Sequence, residues 1–222
     1  MKKIKKFVLA FALIFAFVLS DIAIAPFTAQ AAGLPKVMKS LVLMKGDGEN
    51  GEMGYGIINF VRSDKVTNLK SSNPKVLKVS GSVMEEYGDY NISVYAKKTG
   101  TSTVSVTVKR KNGKVYRLKT KVSVYNYANP LSKCTLGKTD YTKKFNKASK
   151  VDIRSNKKEK INVVAKKGYK ITGLYYSEYG TGKQKKIKNG SKVKLDSMHY
   201  LQIIYKNVSK NYTYTLYLKG NE

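Results

Sequence analysis

From residue 32 onward, apolar side chains recur at every second position along most of the chain. Thr103-Val104-Ser105-Val106-Thr107-Val108-Lys109 places its valines on one face and Thr, Ser and Lys on the other. Tyr116, Leu118, Thr120, Val122 and Val124 alternate with Arg117, Lys119, Lys121 and Ser123, and Tyr90, Ile92, Val94 and Ala96 with Asn91, Ser93 and Tyr95. The same habit continues through Ile161, Val163 and Ala165, and through Tyr212, Tyr214, Leu216 and Leu218. A period of two predicts strands with one face in a core and one in water. No segment past the N-terminus sustains a helical period. Val104, Val106, Val122, Val124, Ile161, Val163, Leu216 and Leu218 are the predicted core.

Turn signals separate these runs: Thr99-Gly100, Asn112-Gly113, Lys167-Gly168, Gly180-Thr181-Gly182 and Asn189-Gly190. Asn-Gly supplies the positive φ that two-residue hairpin turns require. Hairpins are therefore expected over Lys109–Arg117 and over Ile187–Val193. Tyr127-Ala128-Asn129-Pro130 ends a long strand with proline, a natural boundary. The expected fold class is all-β, with two tandem Ig-like antiparallel β-sandwiches after a signal peptide. The expected divisions are 1–31 signal peptide, 32–126 first domain, 127–137 linker or first strand, and 138–222 second domain.

The first half resembles the bacterial Ig-like domains of group 2. The residues that carry the resemblance are Leu69-Lys70-Ser71-Ser72-Asn73-Pro74-Lys75-Val76-Leu77-Lys78-Val79, then Gly81-Ser82-Val83, then Lys98-Thr99-Gly100-Thr101-Ser102-Thr103-Val104-Ser105-Val106. The family pattern is a Ser-Ser-Asn-Pro corner, a short strand, and later a Gly-Thr leading into an alternating strand. Leu69 stands where the family usually has Trp, and Glu85 to Asp89 reads as an insertion. The corner has a physical basis, since Pro74 bars the α conformation at Asn73. The second half is similar to a cadherin-like bacterial β-sandwich in Lys210-Asn211-Tyr212-Thr213-Tyr214-Thr215-Leu216.

The N-terminus adds a compartment. Lys2, Lys3, Lys5 and Lys6 precede thirteen uncharged residues, Phe7 to Leu19, and then small residues ending in Ala29-Gln30-Ala31. This is the layout of a secretory signal peptide with cleavage after Ala31. Asp21 interrupts the apolar run before it reaches the roughly 20 residues of a membrane span. The exported chain is expected to be secreted or held non-covalently at the cell surface, with no transmembrane segment.

Charge sharpens the picture. The chain has 43 Lys and Arg against 14 Asp and Glu. Removing residues 1–31 takes away four lysines and Asp21 and leaves a formal +26. Such a surface attracts polyanions over a Debye length of about 8–10 Å. Only Arg62, Arg110, Arg117 and Arg154 are arginines. Lysine is a point charge without arginine's bidentate fork, so sequence-specific nucleic acid is not an expected partner. Expected partners are an anionic wall polymer, a glycan or a surface protein. Arg117, Lys119 and Lys121 should project from one face. Lys183, Lys185, Lys186 and Lys188 lead into the Asn189-Gly190 turn and Lys192 and Lys194 leave it, so this hairpin is expected to be the densest positive spot.

Candidate chemistry is sparse. His199 is the single histidine and Cys134 the single cysteine, so no disulfide can form within the chain. Cys134 reads as a small buried apolar residue. Glu85-Glu86 is the one adjacent acid pair, and strand neighbours point to opposite faces. Gly46-Asp47-Gly48-Glu49-Asn50-Gly51-Glu52 is acidic but does not fit an EF-hand register, and it reads as a polar loop rather than a calcium site. Tyr175, Tyr176 and Tyr179 cluster around Gly180-Thr181-Gly182 and could stack on a sugar or enter a partner pocket. The expected function is an exported, non-catalytic binding or structural module of the cell envelope, without a cofactor, retained on polyanions or glycans by basic charge. The alternative is a protein-recognising accessory or adhesion module acting through its Tyr-rich loops.

Overall fold

The computed structural model describes residues 33–47, 51–86, 88–155 and 157–221. The expected signal peptide, residues 1–31, lies outside the described residues. The described residues fall into two compact units. One comprises residues up to Lys45 and those from Gly51 to Tyr125; the other comprises Gly46, Asp47 and the residues from Asn126 onward.

The first unit has seven strands: β1 (Ser40–Lys45), β2 (Glu52–Gly56), β3 (Lys65–Ser71), β4 (Leu77–Met84), β5 (Asp89–Ala96), β6 (Gly100–Lys109) and β7 (Val115–Asn126). They form two sheets, ordered β1-β7-β6-β3 and β2-β5-β4. The third, sixth and seventh strands share one sheet and the second, fifth and fourth the other, which is the immunoglobulin arrangement. Leu41, Leu43, Tyr55, Ile57, Leu77, Ile92, Val94, Val104, Val106, Val108, Val122 and Val124 meet between the sheets in one apolar core. Fully burying a valine or leucine contributes about 1.5–3 kcal/mol, so the alternating valines of β6 and β7 are a large part of what holds the sheets together.

The Ser-Ser-Asn-Pro corner and the Gly-Thr-Ser strand meet in space. Ser102 is buried, and its Oγ lies 2.7 Å from Ser71 Oγ and accepts from Asn73 N at 3.1 Å. Ser72 Oγ accepts from Thr103 N at 2.8 Å, and Ser72 N donates to Thr103 O at 2.9 Å. Gly100 has φ 142, and a Cβ there would stand 3.0 Å from Val76 Cγ2. The glycine lets the start of β6 pass over the corner with a backbone shape that side chains disfavour.

The second unit has nine strands: β8 (Leu131–Leu136), β9 (Thr139–Asp140), β10 (Lys150–Ile153), β11 (Glu159–Ala165), β12 (Tyr169–Glu178), β13 (Gln184–Lys186), β14 (Lys192–Val193), β15 (His199–Asn207) and β16 (Tyr212–Gly220). A five-residue 3-10 helix, Thr142–Asn146, precedes β10. The sheets are β10-β16-β15-β12-β13 and β14-β11-β8-β9, again an Ig-like sandwich. Leu136, Ile161, Leu195, Leu201, Ile203, Leu216 and Leu218 are fully buried. Within the second unit β10 runs parallel to β16, and the other strand pairs there are antiparallel. The 3-10 helix carries the chain from the β8 sheet to the open edge of β16, where it runs in the same direction.

All eight residues predicted as core are buried. The two expected hairpins differ in outcome. Around Asn112-Gly113, β6 and β7 pair down to Lys109 and Val115, with Arg110 N bonded to Lys114 O. Three residues, not two, make the turn, with Gly113 alone at positive φ (83). This is a type I turn closed by a glycine, the next commonest hairpin form. Around Asn189-Gly190 there is no hairpin. β13 pairs with β12 in one sheet and β14 pairs with β11 in the other. Asn189 instead bonds the edge of β11 with its side chain, accepting from Val163 N at 2.9 Å and donating to Val163 O at 3.0 Å. The turn therefore carries the chain from one sheet to the other.

Candidate functional site

The sheet β1-β7-β6-β3 carries a continuous basic outer face. In the β6–β7 register Thr103 stands opposite Lys121, Ser105 opposite Lys119 and Thr107 opposite Arg117. On the other flank of β6, Thr67 stands opposite Thr107, Lys70 opposite Ser105 and Lys65 opposite Lys109. Directly opposed residues share a face. Lys65, Lys70, Lys109, Arg117, Lys119 and Lys121 thus rise on the side away from the valine core, and all six are exposed. Between the two cationic flanks lies a hydroxyl row, Thr103, Ser105 and Thr107, half-buried.

No strand of this sheet contains Asp or Glu. Each of the other sheets does: Glu52 and Asp89, Asp152 and Glu178, Asp140 and Glu159. Asp64, just before β3, is already engaged. Its side chain is fully buried against Arg110 at 3.4 Å, and it accepts from Val61 N at 3.1 Å. Lys65, Lys70 and Lys109 escaped the sequence reading. The alternation of β6 marks its outer face, but only the register shows that β3 lies beside it.

The other predicted lysines are dispersed. Lys183, Lys185 and Lys186 lie on or just before the edge strand β13, and Lys192 lies on β14 of the opposite sheet. Lys194 pairs with Asp196 at 3.1 Å. The expected convergence of both sets on one hairpin does not occur, because the hairpin does not exist. Of the predicted basic residues, the structure brings together Arg117, Lys119 and Lys121.

The tyrosines are built into the second unit. Tyr176 donates to Lys194 O at 2.8 Å and stacks on His199, the ring centroids 5.0 Å apart. Tyr179 packs on Tyr200 at 4.6 Å, and burial pushes its hydroxyl up to about 12. Tyr175 is half-buried and stands between Lys186 and Gln202 in the sheet register.

His199 has its Nδ1 on Asp196 Oδ1. That contact, with Lys194 and the Met198 N–H, lowers the Asp196 carboxyl to about 2. The thiol of Cys134 is buried in β8, and desolvation pushes it up to about 12, which leaves it an inert core group. Among the described residues no three His, Cys, Asp or Glu side chains converge as metal ligands. Of the acidic loop, residues 48–50 lie outside the described residues. Asp47 is 4% exposed, accepts from Tyr214 Oη at 3.2 Å and from Ser149 N, and belongs with the second unit. No described helix is long and apolar enough to cross a membrane.

No protein-family model and no curated protein matches the chain. Solved structures align with it at low similarity. Domains 4–9 of the surface layer protein SbsC align over 85% of this chain at 14% identity, with a TM-score of 0.30; the chain spans 31% of that structure. The fibronectin(III)-like modules of Clostridium thermocellum CbhA align over 84% of this chain and 92% of their own length at 11% identity, with a TM-score of 0.27. Cadherin domains 1–4 of protocadherin gamma B7 align over 85% and 51% at 10% identity, with a TM-score of 0.30. The Ig-like assignment rests on the strand order described above.

Proposed function

We propose that this chain is an exported, non-catalytic module of the cell envelope that is held on anionic polymers by charge. The observation that carries the reading is the excess of 43 Lys and Arg over 14 Asp and Glu, which in the first unit gathers on a sheet with no acid in its strands. An uncompensated field of this sign concentrates polyanions at the surface. The Ser-Ser-Asn-Pro corner supports placing the first unit with the group 2 bacterial Ig-like domains. The packed state of Tyr176 and Tyr179 fits the electrostatic reading better than recognition through tyrosine loops.

The test is retention of the purified protein on isolated cell walls at about 50 mM and about 500 mM salt. Charge-driven retention falls steeply as counterions compete, by orders of magnitude in affinity when several contacts are made. Retention that persists at the higher salt would instead indicate a desolvated protein interface.

A further inference from the structure

We propose that the outer face of β7-β6-β3 is a binding track for a linear polyol phosphodiester chain. The polymer lies along β6, its phosphates flanked by the cations of β7 and β3 and bonded by the hydroxyls between them. This rests on the charge-retention reading above and names its surface and ligand class.

Three features of the face point to that chemistry. The first is its spacing. Arg117, Lys119 and Lys121 alternate on one strand, so they recur about every 6.6–6.8 Å. A phosphodiester of a three-carbon polyol repeats its charge every six backbone bonds, and six bonds extend to about 7 Å, as two residues of an extended peptide do. The second is width. Lys119, Ser105 and Lys70 form one row across three strands, which places the outer two backbones about 9–10 Å apart with a hydroxyl midway. A single extended chain fits between them. The third is donor type. Threonine and serine hydroxyls supply directed bonds to phosphate oxygens, while lysines supply charge that tolerates a sliding register.

The nearest competing surface is weaker. Lys192 stands on a sheet that also carries Glu159 and Asp140, and Lys194, just past that strand, is paired with Asp196. The track has no such acid. Its exposed lysines have no ion-pair partner among the described residues.

The experiment measures binding of the purified protein to immobilised poly(glycerol phosphate) across a salt series, for three variants. R117E/K119E/K121E reverses three charges on the track, and K183E/K185E/K192E reverses three elsewhere. T103V/S105V/T107V removes the hydroxyl row and keeps every charge. The track variant is expected to lose more than tenfold in affinity, and its salt slope to fall by about one per lost contact, so by two to three. The comparison variant should lose less than threefold. The valine variant should lose a few-fold with its salt slope unchanged. A neutral R117Q/K119Q/K121Q variant with an unchanged melting transition guards against misfolding and should fall between wild type and the Glu variant. Equal losses from the two charge reversals would overturn the track and leave charge retention standing. Tighter binding to heparin or duplex DNA at equal charge concentration would overturn the ligand class. Wild-type protein that ignores the polymer would sink both proposals.

Discussion

The ring of Tyr205 is fully buried and is met by the rings of Tyr169 at 5.8 Å, Tyr214 at 6.3 Å and Tyr212 at 6.5 Å. Its hydroxyl has no hydrogen-bond partner among the described residues. A buried hydroxyl without a partner costs about 1–3 kcal/mol. Tyr205→Phe is therefore expected to unfold at a denaturant concentration equal to or above the wild-type midpoint, and a clear loss of stability would reveal a partner for the oxygen. Asp196 contributes a pH dependence. Its folded carboxyl sits at about 2, below the roughly 3.9 of an unfolded aspartate. A depressed carboxyl contributes stability that is present above the unfolded value and is lost as pH falls through the folded one. Between about pH 4 and pH 2 the wild type should weaken more steeply than Asp196→Asn in chemical denaturation, and parallel curves would refute the assignment. At this scale the valines of β6 and β7 were legible because a period of two leaves one choice of faces. Asp47 was not. An acid in a glycine-rich stretch reads as solvated, and the hydroxyl that receives it stands 167 positions away.

Elements were legible where their partners are near in sequence. The β6–β7 hairpin follows from two alternating runs and a turn. The Asn189-Gly190 turn has the same local chemistry, yet its flanking strands belong to opposite sheets. Turn residues specify positive φ and say nothing about which sheet receives the chain next. The short β9, β10, β13 and β14 lack enough residues to show a period, so the parallel β10–β16 pairing was invisible too. The corner motif illustrates how elements are tied together. Ser102 on β6 satisfies Asn73 N and meets both Ser71 and Ser72 hydroxyls. Ser102→Ala should cost about 1–3 kcal/mol in equilibrium unfolding, since it removes a buried hydroxyl that bonds the part-buried Asn73 N and meets two serine hydroxyls. A change under half of that would show that Ser71 Oγ, which also accepts from Asn73 N at 3.2 Å, suffices by itself.

For the whole molecule, net charge was legible by counting residues, while its distribution depended on registers that the sequence does not display. That distribution is why Arg117, Lys119 and Lys121 gained Lys65, Lys70 and Lys109 as neighbours, while the lysines from 183 to 194 did not converge. Asp47 has a further consequence, and it concerns portability. Residues 126–222 contain all nine strands of the second sandwich, so a recombination event that moved them into another protein would seem to transfer a finished cassette. It would leave one carboxylate behind. Ser149 N and Tyr214 Oη would then lose their buried acceptor, at about 1–3 kcal/mol for each unmet donor. The excised segment should thus melt below the same sandwich in the intact chain, and the intact chain carrying Asp47→Ala should melt close to the excised segment. If excision leaves the transition unchanged, the second sandwich is self-sufficient and can be inherited without its neighbour.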